Sequence, residues 1–164
     1  QNICIDSDVY NLNKDKACTP QNIALSGGQG APVAVTKIET RMIFKSQENT
    51  IQPQFTIHLK NMGQGNIINR NNIHSICSSQ SIGIEELNVI SLEAEIFGLS
   101  GNIQLDCKPK NPIKIKDKST KVVCTSPESL STEAGTYLSP IHITLDYGYT
   151  TTISKDIKIK RLLK

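Results

Sequence analysis

Tryptophan is absent from this chain, and aromatic residues make up only 4% of it. A core must then come from aliphatic side chains, chiefly Ile, Leu and Val within the 37% hydrophobic content. So few rings also argue against a base-stacking platform for nucleic acid. No apolar run approaches a membrane span, and no secretory h-region is present. No Asn begins an N-x-S/T sequence, which argues against an N-glycosylated surface. No C-x-x-C pair encodes a zinc ribbon or a thioredoxin-type site. G-x-x-x-x-G-K-S/T and G-x-S-x-G are missing too, so neither a Walker A loop nor a nucleophile elbow is written here. These absences lead us to expect no enzyme, no cofactor and no metal centre.

Charge of one sign is also lacking. Eighteen Lys and Arg face fifteen Asp and Glu, a net charge of +3. That balance implies no strong nucleic-acid or acidic-lipid field.

What is present is enough for one domain, with 164 residues. The first residue is Gln1 rather than Met, so a processed product or an excised fragment is expected. Five cysteines carry the compartment argument. Cys4 and Cys18 bracket a polar segment; Cys107 and Cys124 bracket a Pro- and Lys-rich one. Disulfides closing loops of this size would stabilise by about 3 kcal/mol each in the chain-entropy model. They would imply an extracellular or cell-surface location. The alternative is a set of unrelated buried thiols. Cys77 is the odd one out, either a buried thiol or an intermolecular partner.

The stretch ALSGGQGAPVAV, residues 24–35, contains LSGGQ, the letters ABC-type ATPases set at a helix N-terminus to hold phosphate. Here Pro32 and a β-branched alternation follow, so a glycine-rich connector into a strand is expected instead. Residues 1–32 read as an irregular N-terminal segment, in which NICI is a candidate short strand. Residues 33–164 read as a β-sandwich. In QFTIHLKN, Phe55, Ile57 and Leu59 alternate with Thr56, His58 and Lys60, the pattern of a sheet with one wet face. NMGQGN follows as a loop, where Gly63 and Gly65 offer positive φ. Residues 67–77 are ambiguous. In NVISLEAEIFG, Ile90, Leu92, Ala94 and Ile96 share a strand face. IQLDC, IKIK, KVVC, IHITLDY and TISKDIKIKRL are further strand candidates, and KPKNP is a turn. About seven to eight short strands without a long helix predict an all-β antiparallel sandwich.

Two patches carry a resemblance. FTIHLKNMGQGN resembles the strand and K-N-x-G-x-G corner of Ig-like, CARDB-type modules of microbial, especially archaeal, cell-surface proteins. GTYLSPIHITLDYGYTTTISKDIKIKR resembles the last hairpin of such a module. The resemblance implies an Ig-like fold and a protein that binds, spaces or assembles rather than catalyses.

The remaining chemistry-bearing residues are sparse. His58 and His142 fall on outward strand positions, and His74 precedes Cys77 as H-x-x-C. DSDVYNLNKD is rich in oxygen ligands but lacks the EF-hand Gly and terminal Glu. Glu85 with Glu86, and Glu93 with Glu95, are the close carboxylate pairs, and both read as solvated. KDIKIKRLLK concentrates five basic residues in a candidate edge strand. The expected function is an extracellular structural or interaction module of a surface protein or assembly. A filament or lattice is its sharper form, with the N-terminal segment either adding a strand to a neighbour or folding back on its own domain. The alternative is a glycan- or cell-wall-binding accessory module, with Tyr147 and Tyr149 as candidate ligand contacts.

Overall fold

The structure, a computed structural model, describes residues 1–8, 15–26, 29–74, 83–98 and 101–158. Among them the strands are β1 (Asn2–Asp6), β2 (Ile23–Ala24), β3 (Val33–Lys45), β4 (Thr50–Asn61), β5 (Asn66–Ile68), β6 (Val89–Gly98) and β7 (Gly101–Gln104). They continue as β8 (Asp106–Lys108), β9 (Ile113–Lys114), β10 (Ser119–Thr125), β11 (Leu130–Ser131), β12 (Thr136–Asp146) and β13 (Gly148–Thr150). The fold is all-β and antiparallel, as the alternation predicts. There are more strands than the expected seven to eight because several span only two or three residues.

One sheet runs β1-β12-β6-β7, with β9 also on β6. The other runs β2-β3-β4-β10-β8, with β11 also on β4. A small third ladder joins β13 to β5. Between the two large sheets lies one aliphatic core. Phe55, Ile57 and Leu59 of β4 are at most 1% exposed, and Ile90, Leu92, Ala94 and Ile96 of β6 at most 2%. Each large side chain among these contributes about 1.5–3 kcal/mol of transfer free energy. Period-two burial on both strands leaves each sheet one outer, wet face.

The N-terminal segment is less irregular than its glycines and prolines suggest. β1 pairs along its whole length with β12, and Ile3 and Ile5 are buried at 1% and 0% exposure. NICI is thus a sandwich strand, and the segment folds onto its own domain.

Two local expectations fail. Gly63 and Gly65 do not take positive φ; Gly30, Gly101 and Gly135 do. A Cβ at Gly63 would meet the Tyr149 ring, and one at Gly65 would meet the Thr150 carbonyl, so close approach requires both glycines. Residues 151–158 form no strand, although their alternation predicts one. Ile153 and Ile157 stand 90% and 79% exposed. Alternation supplies strand propensity, but a ladder also needs a neighbouring edge, and no described strand of this chain pairs with the segment. Residues 159–164 of the basic stretch lie outside the described residues.

Candidate functional site

The side chains singled out by sequence go mainly into closing the sandwich. Cys107 and Cys124 face each other across β8 and β10 and form a disulfide. Cys4 and Cys18 form the second. The local spacing therefore identifies both pairs. Cys77 lies outside the described residues.

At the Cys107–Cys124 edge one short segment serves both sheets. β7 pairs with β6; Leu105 N–H then donates to Ala94 O at 2.9 Å. The next residues leave for the opposite sheet, where β8 pairs with β10. The chain turns through Pro109 and Pro112, both after cis peptide bonds, and returns to β6 as β9. The side-chain amide of Asn111 fills the gap between. Its Nδ2 donates to Leu92 O at 3.0 Å, and its Oδ1 accepts from Leu92 N–H at 2.9 Å. The edge of β6 is thereby occupied almost continuously.

At the opposite edge the closure is looser. Cys18 ties the following residues to Cys4 on the outer side of β1, and the chain then reaches β2 on the edge of β3. β2 pairs only at Ile38 and Lys37. Beyond it, Leu25 N–H donates to Thr36 O, and Gln29 repeats the device of Asn111. Its Nε2 donates to Val35 O at 2.9 Å, and its Oε1 accepts from Val35 N–H at 3.1 Å. This glutamine is the last letter of LSGGQ. It extends a sheet, and the residue after it, Gly30, adopts φ +73°. The strand β3 follows, where a phosphate site would need a helix. Gly27 and Gly28 lie outside the described residues.

A cavity of about 450 Å³ opens at this looser edge, lined by Gln1, Asn2, Thr19, Gln21, Asn22 and Leu138 together with the disulfide and Ile23. The polar side chains lining it are the amides of Gln1, Asn2, Gln21 and Asn22 and the hydroxyl of Thr19. Two hydroxyls near the same edge are buried without a partner: Thr40 Oγ1 on β3 and Tyr137 OH on β12. Burial raises the Tyr137 phenol above its ordinary 10.0.

Tyr147 and Tyr149 pack partly buried against the core. The Tyr147 hydroxyl accepts from Val33 N–H at 3.2 Å, and that of Tyr149 from Gly65 N–H at 2.6 Å. Tyr149 thereby joins the strand β13 to the loop after β4. The sequence marks these rings, but it cannot show that their hydroxyls are occupied.

The histidines do not converge. His58 lies on the outer face of the β3–β4 sheet, with Nε2 3.1 Å from Glu39 Oε1. His142 lies on the outer face of the opposite sheet, with Nδ1 2.9 Å from Glu95 Oε1. His74 is exposed after the 3-10 turn Arg70–Asn72. Glu39 also meets Lys37 at 2.6 Å, and that ammonium chiefly lowers its carboxyl below the ordinary 4.5. In DSDVYNLNKD, Asp6 and Asp8 share Lys16, at 2.8 and 3.7 Å. The Asp6 hydrogen bond is the largest cause raising the Lys16 pKa. A lysine ammonium thus supplies the positive charge there, and residues 9–14 are outside the described set. Among the described residues no group of three or more His, Cys, Asp or Glu could hold a metal ion.

No family model, curated protein or solved structure matches this chain. The reading of its function rests on its own residues.

Proposed function

We propose that this chain is an Ig-like structural and interaction module of an extracellular surface protein or surface assembly. The observation that carries the reading is a disulfide at each edge of the sandwich. Such bonds persist in oxidising compartments and are rare in reducing ones. The contact between the two family-like patches through Tyr149 lends further support. The conspicuous polar side chains, Asn111, Gln29, Tyr147 and Tyr149, hold backbone in place. A filament or lattice is a natural use for such a unit. If β1 served a neighbour, it would first have to leave β12 and uncover Ile3 and Ile5, so it would act by exchange. The glycan-binding alternative rests on Tyr147 and Tyr149 and is the weaker reading, because both hydroxyls already serve this chain's own backbone.

Intact mass under non-reducing conditions tests the proposal. The expected mass lies four protons below that of the fully reduced chain, with one alkylatable thiol, Cys77. Five alkylatable thiols in protein taken from its native compartment would sink it.

A further inference from the structure

The two outer faces of the sandwich differ in charge. On the β3–β4–β10–β8 sheet, outward positions alternate with the buried residues of β4. Those positions carry Lys37, Arg41, Lys45, Lys60, Lys108 and Lys121. Lys121, His58 and Lys37 form one direct cross-strand row. Only two carboxylates share this face, and both have cationic partners. Glu39 is held by Lys37, and Asp106 by Lys110 at 3.3 Å. Among the described residues, then, Arg41, Lys60, Lys108 and Lys121 have no carboxylate within ion-pair distance. Half-buried Val123 lies between Lys121 and Lys108, and half-buried Ile43 lies between Arg41 and Lys45.

The outer face of the β1–β12–β6–β7 sheet has the opposite character. Its outward carboxylates are Asp6, Glu93, Glu95 and Asp146. Asp6 is paired with Lys16 and Asp146 with Arg70, which leaves Glu93 and the Glu95–His142 pair. The lysine of this face, Lys114, bonds the carbonyls of Ile84 and Glu85. Phe97, 52% exposed, stands two residues along β6 from Glu95, and Leu138, 58% exposed, stands further along the same face on β12. Ser139 Oγ accepts from Phe97 N–H at 3.1 Å and donates to Phe97 O at 2.8 Å, which keeps these neighbouring strands together.

We propose that copies of this chain stack face to back, the acidic and apolar face of one on the basic face of the next. This inference rests on the surface-assembly reading and deepens it. Charge complementarity selects the occupant. A two-fold dimer would set like charges against each other, whereas a heterologous stack pairs Glu93 and Glu95 with Lys108, Lys121 or Arg41. Exposed Phe97 and Leu138 then meet Val123, the half-buried residue beside Lys121 and Lys108. Because each copy keeps one face of each kind, the contact propagates and forms a filament unless it closes into a ring. The interface is small, roughly 20 Å on a side for four strands and six residues, so association is weak and salt-sensitive.

Sedimentation of the full chain at about 1 mM, in about 20 mM and about 500 mM salt, tests the stack. The expected result is a several-fold rise in average mass at low salt and a single-copy mass at high salt. Glu93→Lys with Glu95→Lys makes both faces basic; Lys108→Glu with Lys121→Glu makes the second face acidic. Each double variant should remain single at low salt, with circular dichroism and melting like the parent chain. An equimolar mixture of the two should regain the parent's assembly, because each supplies the face the other needs. A single-copy mass for the parent at low salt would overturn the proposal, as would variants that assemble alone or a mixture no larger than its components. A single-copy parent that binds polyglucuronate through Lys108 and Lys121 would assign the basic face to an anionic polymer instead. In each of these failures, intact disulfides by mass would leave the module reading standing.

Discussion

The two edges of this sandwich solve one problem with different tightness. Each needs chain to pass between the sheets, and each has a disulfide beside the passage. At the Cys107–Cys124 edge the passage takes one step, from Leu105 in one sheet to Asp106 in the other. At the Cys4–Cys18 edge it takes residues 18–23 and leaves a cavity of about 450 Å³. The adjacent cavity at the tight edge is about 140 Å³. Among the described residues the orphaned hydroxyls, Thr40 Oγ1 and Tyr137 OH, lie towards the loose edge. The short crossing keeps the β6 edge bonded through Leu105 and Asn111, whereas the longer one leaves a larger cavity beside it.

The contrast can be broken first at the disulfides. Cys107→Ala with Cys124→Ala should cost about 3–5 kcal/mol in denaturant unfolding, because Cys124 also packs in the core. Cys4→Ala with Cys18→Ala should cost about 2–3 kcal/mol, the loop term alone. Equal losses would mean that the two edges are equally tight.

The paired amides sharpen the comparison. Asn111→Ala should cost about 2–3 kcal/mol, since it strands the N–H and C=O of Leu92 on a buried strand. Gln29→Ala should cost about 1 kcal/mol, because water can reach the looser edge and replace the bonds. Thermal melts of the two variants measure the difference directly.

Relieving an orphaned hydroxyl should have the reverse sign. Tyr137→Phe should stabilise by about 1 kcal/mol. The folded phenol pKa is raised, so the neutral phenol favours folding below pH 10.0, and that contribution fades as pH rises through the folded value. Unfolding curves from pH 9 to about 11.5 should show a steeper alkaline decline for the parent than for Tyr137→Phe.

The smallest effect belongs to Glu39, on the outer face of β3, the strand that borders the loose edge. Its folded pKa is depressed, so its stabilising share is present above the ordinary 4.5 and disappears as pH falls below it. Glu39→Gln should flatten the acid limb of the stability profile slightly while leaving neutral pH almost unchanged.

The sequence makes faces legible, but not partners. Period two in QFTIHLKN and VISLEAEIF places Phe55, Ile57, Leu92 and Ile96 correctly in the core, because burial follows local alternation. Cysteine spacing likewise marks both disulfides. IQLDC reads as one strand because Ile103, Leu105 and Cys107 keep one parity. That parity cannot show that the ladder changes sheets at Leu105. Asn111 and Gln29 carry no pattern, since a side-chain amide bonded to a distant strand leaves no periodic trace. Gly63 and Gly65 suggest a loop of positive φ, yet their reason is the close approach of the distant Tyr149 and Thr150. Glycines and prolines make the N-terminal segment read as irregular, so the strand β1 that completes the sheet is hidden in it.

That strand bears on how the protein is made. β1 is translated before the other described strands, yet its ladder partners are residues 136–140. On a ribosome, its sheet cannot close until most of the chain has emerged. Meanwhile Cys4 and Cys18, 14 residues apart, can meet early and hold β1 in a small oxidised loop. Completion of the sheet is then a late, high-contact-order step. Until it occurs, β12 presents an open edge beside Phe97 and Leu138, the interval in which a nascent chain is most exposed to mispairing with its neighbours.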